Sequence, residues 1–184
     1  FKRTWFKIHD EPNRIIRKVR FWDLAATPVG GGGDPDWTVG LLLGLDSDYD
    51  VWVLDVQRIR GTPMEVERLI LQTAQLDGLE TAIRIEQEGG ASGKHVIDYY
   101  LRKLAGYNFR GERAMTSKTE RAKPVSAYAE AGKIHILNKP WTQTLLDELE
   151  AFPTEGVHDD QVDALSGAFH SLFNETADFS ISMV

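Results

Sequence analysis

The chain of 184 residues contains no cysteine. Disulfides, thiolate zinc sites and a cysteine nucleophile are therefore excluded, and the fold must stand on its core alone, a condition compatible with a reducing cytoplasm. No apolar run approaches the roughly 20 residues needed to span a membrane. Internal repeats and low-complexity segments are absent as well. Positive charge is in short supply: 21 Lys and Arg against 28 Asp and Glu give a net charge of −7, where most nucleic-acid-binding domains carry a basic face that neutralises phosphates. No Gly-x-Ser-x-Gly elbow follows a strand-like run, and no His-x-x-x-His or cysteine pair is present, which argues against a serine hydrolase and a zinc enzyme.

What is present describes an ordinary globular domain. With 42% hydrophobic and 27% charged residues, the chain suits one well-buried domain over residues 1–184. Residues 1–14 read as a polar lead-in and 174–184 as a tail. The charged opening Phe1-Lys2-Arg3-Thr4-Trp5, without an initiator Met or signal-like segment, suggests a piece of a longer polypeptide.

Ile15 to Asp23 reads as a strand, followed by a glycine-rich loop at 30–33. Trp37 to Gly44 and Val51 to Ile59 read as two more, making an antiparallel meander. Thr62-Pro63-Met64-Glu65 opens a helix with a Thr cap, an early Pro and a Glu three residues on. Thr81 to Glu86 is a short strand. The run Gly89 to Gly93 breaks the chain before a second helix marked by Val96, Ile97, Tyr100, Leu101 and Leu104. A helix around Pro124, a strand at 133–137 and helices at 142–152 and 158–173 follow. Meander first and strand–helix alternation second predict an α/β fold: a mixed sheet with helices on its faces.

Carboxylates mark the ends of these elements. Asp23 ends the first strand, and Glu86 ends the fourth on the face opposite Ile83 and Ile85. If those strands are neighbours, the two acids sit side by side, an arrangement kept by a shared proton or a cation. The stretch His158-Asp159-Asp160-Gln161-Val162-Asp163 puts three aspartates at a helix start, while Val162, Leu165, Ala168, Phe169 and Leu172 form its packed stripe. Helix capping accounts for one or two of the three. Oxygen ligands from two strand ends and a helix start suit Mg²⁺ or Mn²⁺, and two such ions about 3.5–4 Å apart would clamp a phosphodiester undergoing hydrolysis.

In this order, Phe21-Trp22-Asp23-Leu24-Ala25, Asp36-Trp37-Thr38-Val39-Gly40, Glu86-Gln87-Glu88-Gly89-Gly90-Ala91-Ser92-Gly93-Lys94 and His158 to Leu165 resemble the nuclease domain of the large terminase subunit of tailed bacteriophages. The likeness covers roughly residues 17 to 173. It implies a ribonuclease H-like fold and a metal-dependent endonuclease that cuts double-stranded viral DNA during packaging in the host bacterial cytoplasm. It further implies two Mg²⁺ or Mn²⁺ ions, an ATPase motor domain earlier in the full chain, and a portal and small terminase subunit as partners. Carried over by residue, Asp23 bridges the metals, Glu86 is the second ligand and Asp159 the third, with Asp160 assisting. Glu88 is the reserve for the second position and Asp163 a further ligand.

Lys94, and the cluster Lys118, Arg121 and Lys123, are candidates for DNA phosphate or for a solvated face. His158 either orients a carboxylate or merely starts a helix. Trp22, Trp37 and Trp52 are expected to pack on the sheet, and the loop from Gly30 to Asp36 to touch DNA. The isolated domain is expected to bind DNA weakly, given its charge. Two rivals remain: another ribonuclease H-like nuclease, such as a junction resolvase or transposase core, and a non-catalytic nucleic-acid-binding or scaffold domain.

Overall fold

The computed structural model describes residues 1–25, 35–113 and 116–181. Seven strands form one mixed sheet: β1 (Lys7–His9), β2 (Ile15–Asp23), β3 (Thr38–Asp46), β4 (Val51–Ile59), β5 (Thr81–Gln87), β6 (Phe109–Arg113) and β7 (Ile134–Leu137). Their order across the sheet is β1-β7-β4-β3-β2-β5-β6. β2, β3 and β4 are antiparallel neighbours, whereas β5 lies parallel to β2 and β7 parallel to β4. This is the expected meander extended by parallel strands. Five helices cover it: α1 (Pro63–Asp77), α2 (Gly90–Lys103), α3 (Lys118–Glu130), α4 (Thr142–Ala151) and α5 (Asp160–Ile181). Among the described residues no helix is long and apolar enough to cross a membrane.

Side-chain alternation sorts the core into two layers. Along β2, Val19 and Phe21 join Ala82 of β5 and the buried faces of α3, α4 and α5 on one side of the sheet. Trp22, with Ile83 and Ile85, packs on the other side against Ile70 of α1 and Ile97 and Tyr100 of α2. Successive strand residues point to opposite faces, so this split follows directly from the sequence. The whole expected stripe of α5 is buried, from Val162 through Leu172. Trp22 and Trp52 are core residues, as their strand positions suggest. α1 starts on a complete capping box, in which Thr62 Oγ1 accepts from the Glu65 amide and Glu65 accepts from that of Thr62.

Three differences from the sequence reading have local causes. The lead-in contributes β1, a three-residue edge strand that pairs with β7. The stretch 109–113 forms the opposite edge, β6, whose Phe-Arg-Gly-Glu-Arg composition lacks an alternating apolar signal. Gly90 to Gly93 are the first residues of α2 and not a break before it. A side chain at Gly93 would place its Cβ 2.1 Å from the Glu88 carbonyl oxygen, so glycine is what lets the strand–helix turn close so tightly. The glycine-rich loop at 30–33 lies outside the described residues.

At the end of the sheet away from Asp23, Asp46 is a buried polar keystone. It accepts hydrogen bonds from Asn13 Nδ2, the Asp48 and Asp50 amides and Trp52 Nε1. Burial raises its pKa, but these donors outweigh burial and hold the carboxyl below its ordinary 3.8. A depressed acid contributes stability above its unfolded pKa, and that contribution is lost as pH falls through the folded value. Asp46→Ala is therefore expected to cost on the order of 3 kcal/mol at neutral pH, because charged acceptors vanish and the Trp52 N–H stays buried. The gap between wild type and variant should narrow as pH drops below 3.8; urea unfolding at pH 7 and pH 3 measures both quantities.

Candidate functional site

β2 and β5 run parallel with Trp22 opposite Ile85, so Asp23 and Glu86 follow one step later at neighbouring strand ends. Asp23 continues the alternation of Val19 and Phe21, and Glu86 that of Ala82, which turns both toward the α5 side. α5 crosses this side close to β2. A Cβ on Gly167 would lie 2.3 Å from Phe21 Cζ, so the approach depends on that glycine. The first turn of α5 then brings Asp163, 4% exposed, toward the strand ends.

Two cations from the start of α3 enter the cluster. Arg121 reaches Glu86 Oε2 with Nη1 at 2.9 Å and Asp163 Oδ1 with Nη2 at 3.0 Å. Lys118 Nζ lies 2.7 Å from Asp159 Oδ1 and 2.6 Å from Asp163 Oδ2. Asp23 alone among these acids has no ion pair within the described residues. Burial first, and then the charges of Glu86, Asp163 and Asp160, raise its pKa well above the ordinary value, against a smaller opposing effect of Lys118. Burial also raises that of Asp163, with Lys118 and Arg121 opposing. Lys118 is held above its ordinary value because its two carboxylates outweigh burial.

Helix geometry separates the three aspartates. Asp159 and Asp163 stand four residues apart on one side and share Lys118, whereas Asp160 is rotated about 100° from Asp159. Asp160 Oδ2 instead accepts from the Trp37 amide at 3.1 Å and lies 3.5 Å from His158 Nδ1. Asp36, His158 and Asp160 each offer a ligand atom within 4.8 Å of the others. Trp37 carries two guanidinium groups near its ring, Arg58 at 4.0 Å and Arg60 at 4.3 Å from the centroid. Arg60 Nη2 is also 2.9 Å from His158 Nε2. Asp163 thus joins Glu86 through Arg121, Asp159 joins Asp163 through Lys118, and Asp160 joins His158 and Asp36 while its charge also acts on Asp23.

On the side of α2, Asp23, Glu86 and Glu88 line a cavity of about 290 Å³ with Ser92 and Gly93. Lys94 is exposed in the first turn of α2, where amide groups and helix dipole also favour anions. Lys118 and Arg121 face carboxylates, and Lys123 is exposed and paired with Glu120.

Sequence reasoning left out Asp36, Arg58, Arg60 and Glu148. For Asp36 the usable signal is an Asp just before a strand whose start lies opposite Asp23. Arg58 is the penultimate residue of β4 and Arg60 lies one residue past its end, two apart and both over the Trp37 ring. Glu148 carries no such mark: it lies mid-α4 and accepts from the backbone and side chain of Gln161, which fastens the start of α5.

The fold and these acids can be set beside known proteins. The large terminase nuclease from thermophilic phage G20c with bound zinc superposes with a TM-score of 0.62 at 19% identity, over 91% of this chain and 95% of that one. The human cytomegalovirus terminase nuclease domain, manganese-soaked with an inhibitor bound, gives 0.63 at 11% identity over 85% and 82%. Fowlpox virus resolvase, in complex with Holliday junction DNA, gives 0.53 at 8% over 85% and 97%. No curated protein matches the chain in sequence. The sequence model of the terminase RNaseH-like domain, however, matches residues 20–172. That stretch runs from within β2 to the buried part of α5 and takes in every acid described above, and the chain belongs to the terminase RNaseH-like domain family.

Proposed function

We propose that this domain is a divalent-metal-dependent endonuclease that cuts double-stranded viral DNA during genome packaging. The observation that carries the reading is the meeting of Asp23 and Glu86 at parallel strand ends, with Asp163 joined to Glu86 through Arg121 and to Asp159 through Lys118. The donor set fits a hard divalent cation: it is all carboxylate oxygen, and Asp23 is disfavoured as an anion first by burial and then by the acids around it, a conflict that a bound cation relieves. The G20c nuclease has been captured with zinc, magnesium and cobalt, and the cytomegalovirus domain was soaked with manganese. Here two Mg²⁺ or Mn²⁺ ions are proposed, held by Asp23, Glu86 and Asp159 together with Asp163, while Asp160 anchors the adjoining group with His158 and Asp36. Bound divalent ions supply Lewis acidity for phosphodiester hydrolysis.

The chain's own residues divide the remaining work. Arg121 fixes the orientation of Glu86 and Asp163 through its planar fork. Lys94, at the α2 N-terminus beside the cavity, meets DNA phosphate. Arg60, stacked on Trp37 and joined to His158, keeps the Asp36–Asp160 side ordered. With a net charge of −7, the domain binds duplex DNA weakly alone, and an ATPase motor domain of the full protein supplies most of the grip. Portal and small terminase subunit are the partners proposed for the assembled machine.

Chelation is the direct test. Plasmid cleavage should require Mg²⁺ or Mn²⁺, stop in EDTA and return when either ion is added back. Cutting that persists in EDTA would remove the metal reading, and complete inactivity with every ion would favour the scaffold alternative. Likeness to a resolvase makes the substrate worth separating: linear duplex should be cut at least as well as a four-way junction, and strong preference for the junction would move the assignment to that class.

A further inference from the structure

Lys118 stands where it would compete with a bound cation. Its ammonium is 2.7 Å from Asp159 Oδ1 and 2.6 Å from Asp163 Oδ2, two groups assigned above to metal. The two cations that α3 sends into the cluster are not equivalent. Arg121 has an 11% exposed side chain and spans Glu86 and Asp163 with separate nitrogens. Its fork geometry and burial make it a fixed part of the site. Lys118 has a side chain 51% exposed, a flexible stem and a compact, strongly hydrated charge. Turning its head outward into water would leave Asp163, whose side chain is 5% exposed, without a counter-charge, unless an arriving cation takes the ammonium's place.

We propose that Lys118 is a resident counter-ion that the site exchanges for metal. In the free domain its charge offsets the repulsion between Asp159 and Asp163. A divalent ion that takes the same oxygens meets a positive charge at contact distance, so it enters only as the ammonium leaves. The backbone is arranged for such an exchange. Lys118 is the first residue of α3 and follows Ser117, whose side chain accepts from the Glu120 amide and caps the helix. The Cα is therefore anchored while the stem remains free to swing. The consequence is a metal affinity lower than the carboxylates alone would provide, set by a side chain that is not itself a ligand. The inference rests on the metal-site reading of the acids.

Mn²⁺ binding measures the exchange without reference to cleavage. Calorimetry, together with the loss of the free Mn²⁺ spin-resonance signal, would be recorded for wild type, Lys118→Met, Lys118→Arg, Lys103→Met and Asp23→Asn, each checked for thermal unfolding. Lys103 pairs with Glu67 near the other end of α2, so its replacement removes the same charge elsewhere. Lys118→Met is expected to bind Mn²⁺ about tenfold more tightly, Lys118→Arg no more tightly than wild type, and Lys103→Met like wild type. Unchanged or weaker binding by Lys118→Met overturns the proposal, as does equal tightening in Lys103→Met, which would mark a general charge effect. Tightening in Lys118→Arg overturns it as well, and that variant decides the matter if the Met variant does not fold. If Asp23→Asn binds Mn²⁺ like wild type, the metal-site reading fails instead.

Discussion

Asp23→Asn is expected to lower DNA cleavage by about a thousandfold or more while leaving the domain, in metal-free buffer at neutral pH, at least as stable as wild type. The two halves of this result have one cause. Asp23 is a partly buried acid surrounded by Glu86, Asp163 and Asp160, and it lacks an ion-pair partner of its own among the described residues. A carboxyl whose folded pKa is raised costs stability when it is ionised, and that cost disappears as pH falls below the folded value. Asparagine keeps the shape and removes the charge, so the folded state no longer carries the cost. It also removes an anionic oxygen from the set of acids proposed to hold the metals. Plasmid cleavage with Mn²⁺ gives the first quantity and thermal unfolding in EDTA the second. A clear drop in melting temperature would instead identify Asp23 as a structural cap of the β2 end, the ordinary role of an aspartate at a turn. Asp159→Asn and Asp163→Asn in the same cleavage assay separate the two helix acids. The acid closest in effect to Asp23 is the principal third ligand, and Asp160→Asn, directed toward His158 and Asp36, should cost less.

The second large effect is on packing. Gly167→Ala should destabilise the domain by about 1–3 kcal/mol and reduce cleavage even where the protein remains folded. A methyl group there would sit 2.3 Å from Phe21 Cζ. Phe21 is 2% exposed, two residues before the end of β2, and borders a cavity of about 260 Å³ together with Gly167. The Phe21 ring, α5 or both must give way, and α5 carries Asp163 and follows directly from Asp159. To the extent that α5 moves, two of the proposed ligands withdraw from Asp23 and Glu86, which remain on the strands. Small displacements of reacting groups have large kinetic costs. Denaturant unfolding and metal-dependent cleavage of the same preparation test the pair of effects. Wild-type stability would mean that α5 has room to spare, and a loss of stability without loss of activity would mean that the site tolerates helix movement.

Legibility of the site followed the physical range of each signal. The meander, the capping box and the stripe of α5 depend on neighbours within a few residues, and each was readable as local pattern. β1 and β6 were not, because edge strands acquire their identity from the partner beside them: Lys7-Ile8-His9 is a strand only because β7 offers a free edge. The acids at 23, 86 and 159–163 announced themselves by their place at element ends. Their pairing did not, since which helix residue faces which strand end is set by the angle at which α5 crosses β2. Arg121 and Lys118 show the same limit. As sequence they form a basic cluster open to phosphate or solvent, and in the fold they face the carboxylates.

The sequence by itself determined the alternation that gives each strand its two faces, the periodicity that turns Val162 to Leu172 inward, the oxygen-only character of the acids and the absence of any thiol chemistry. These are properties of residue type and spacing, and they hold wherever the segments lie. Only the tertiary structure decided that Asp159 and Asp163 share a lysine while Asp160 joins His158 and Asp36. The three aspartates differ by a rotation about one helix axis, and what each meets depends on elements more than a hundred residues away in the chain for Asp36 and about forty for Lys118. Contacts of that kind are fixed by the packing of α5 and α3 over the sheet, for which no short stretch of sequence carries the information.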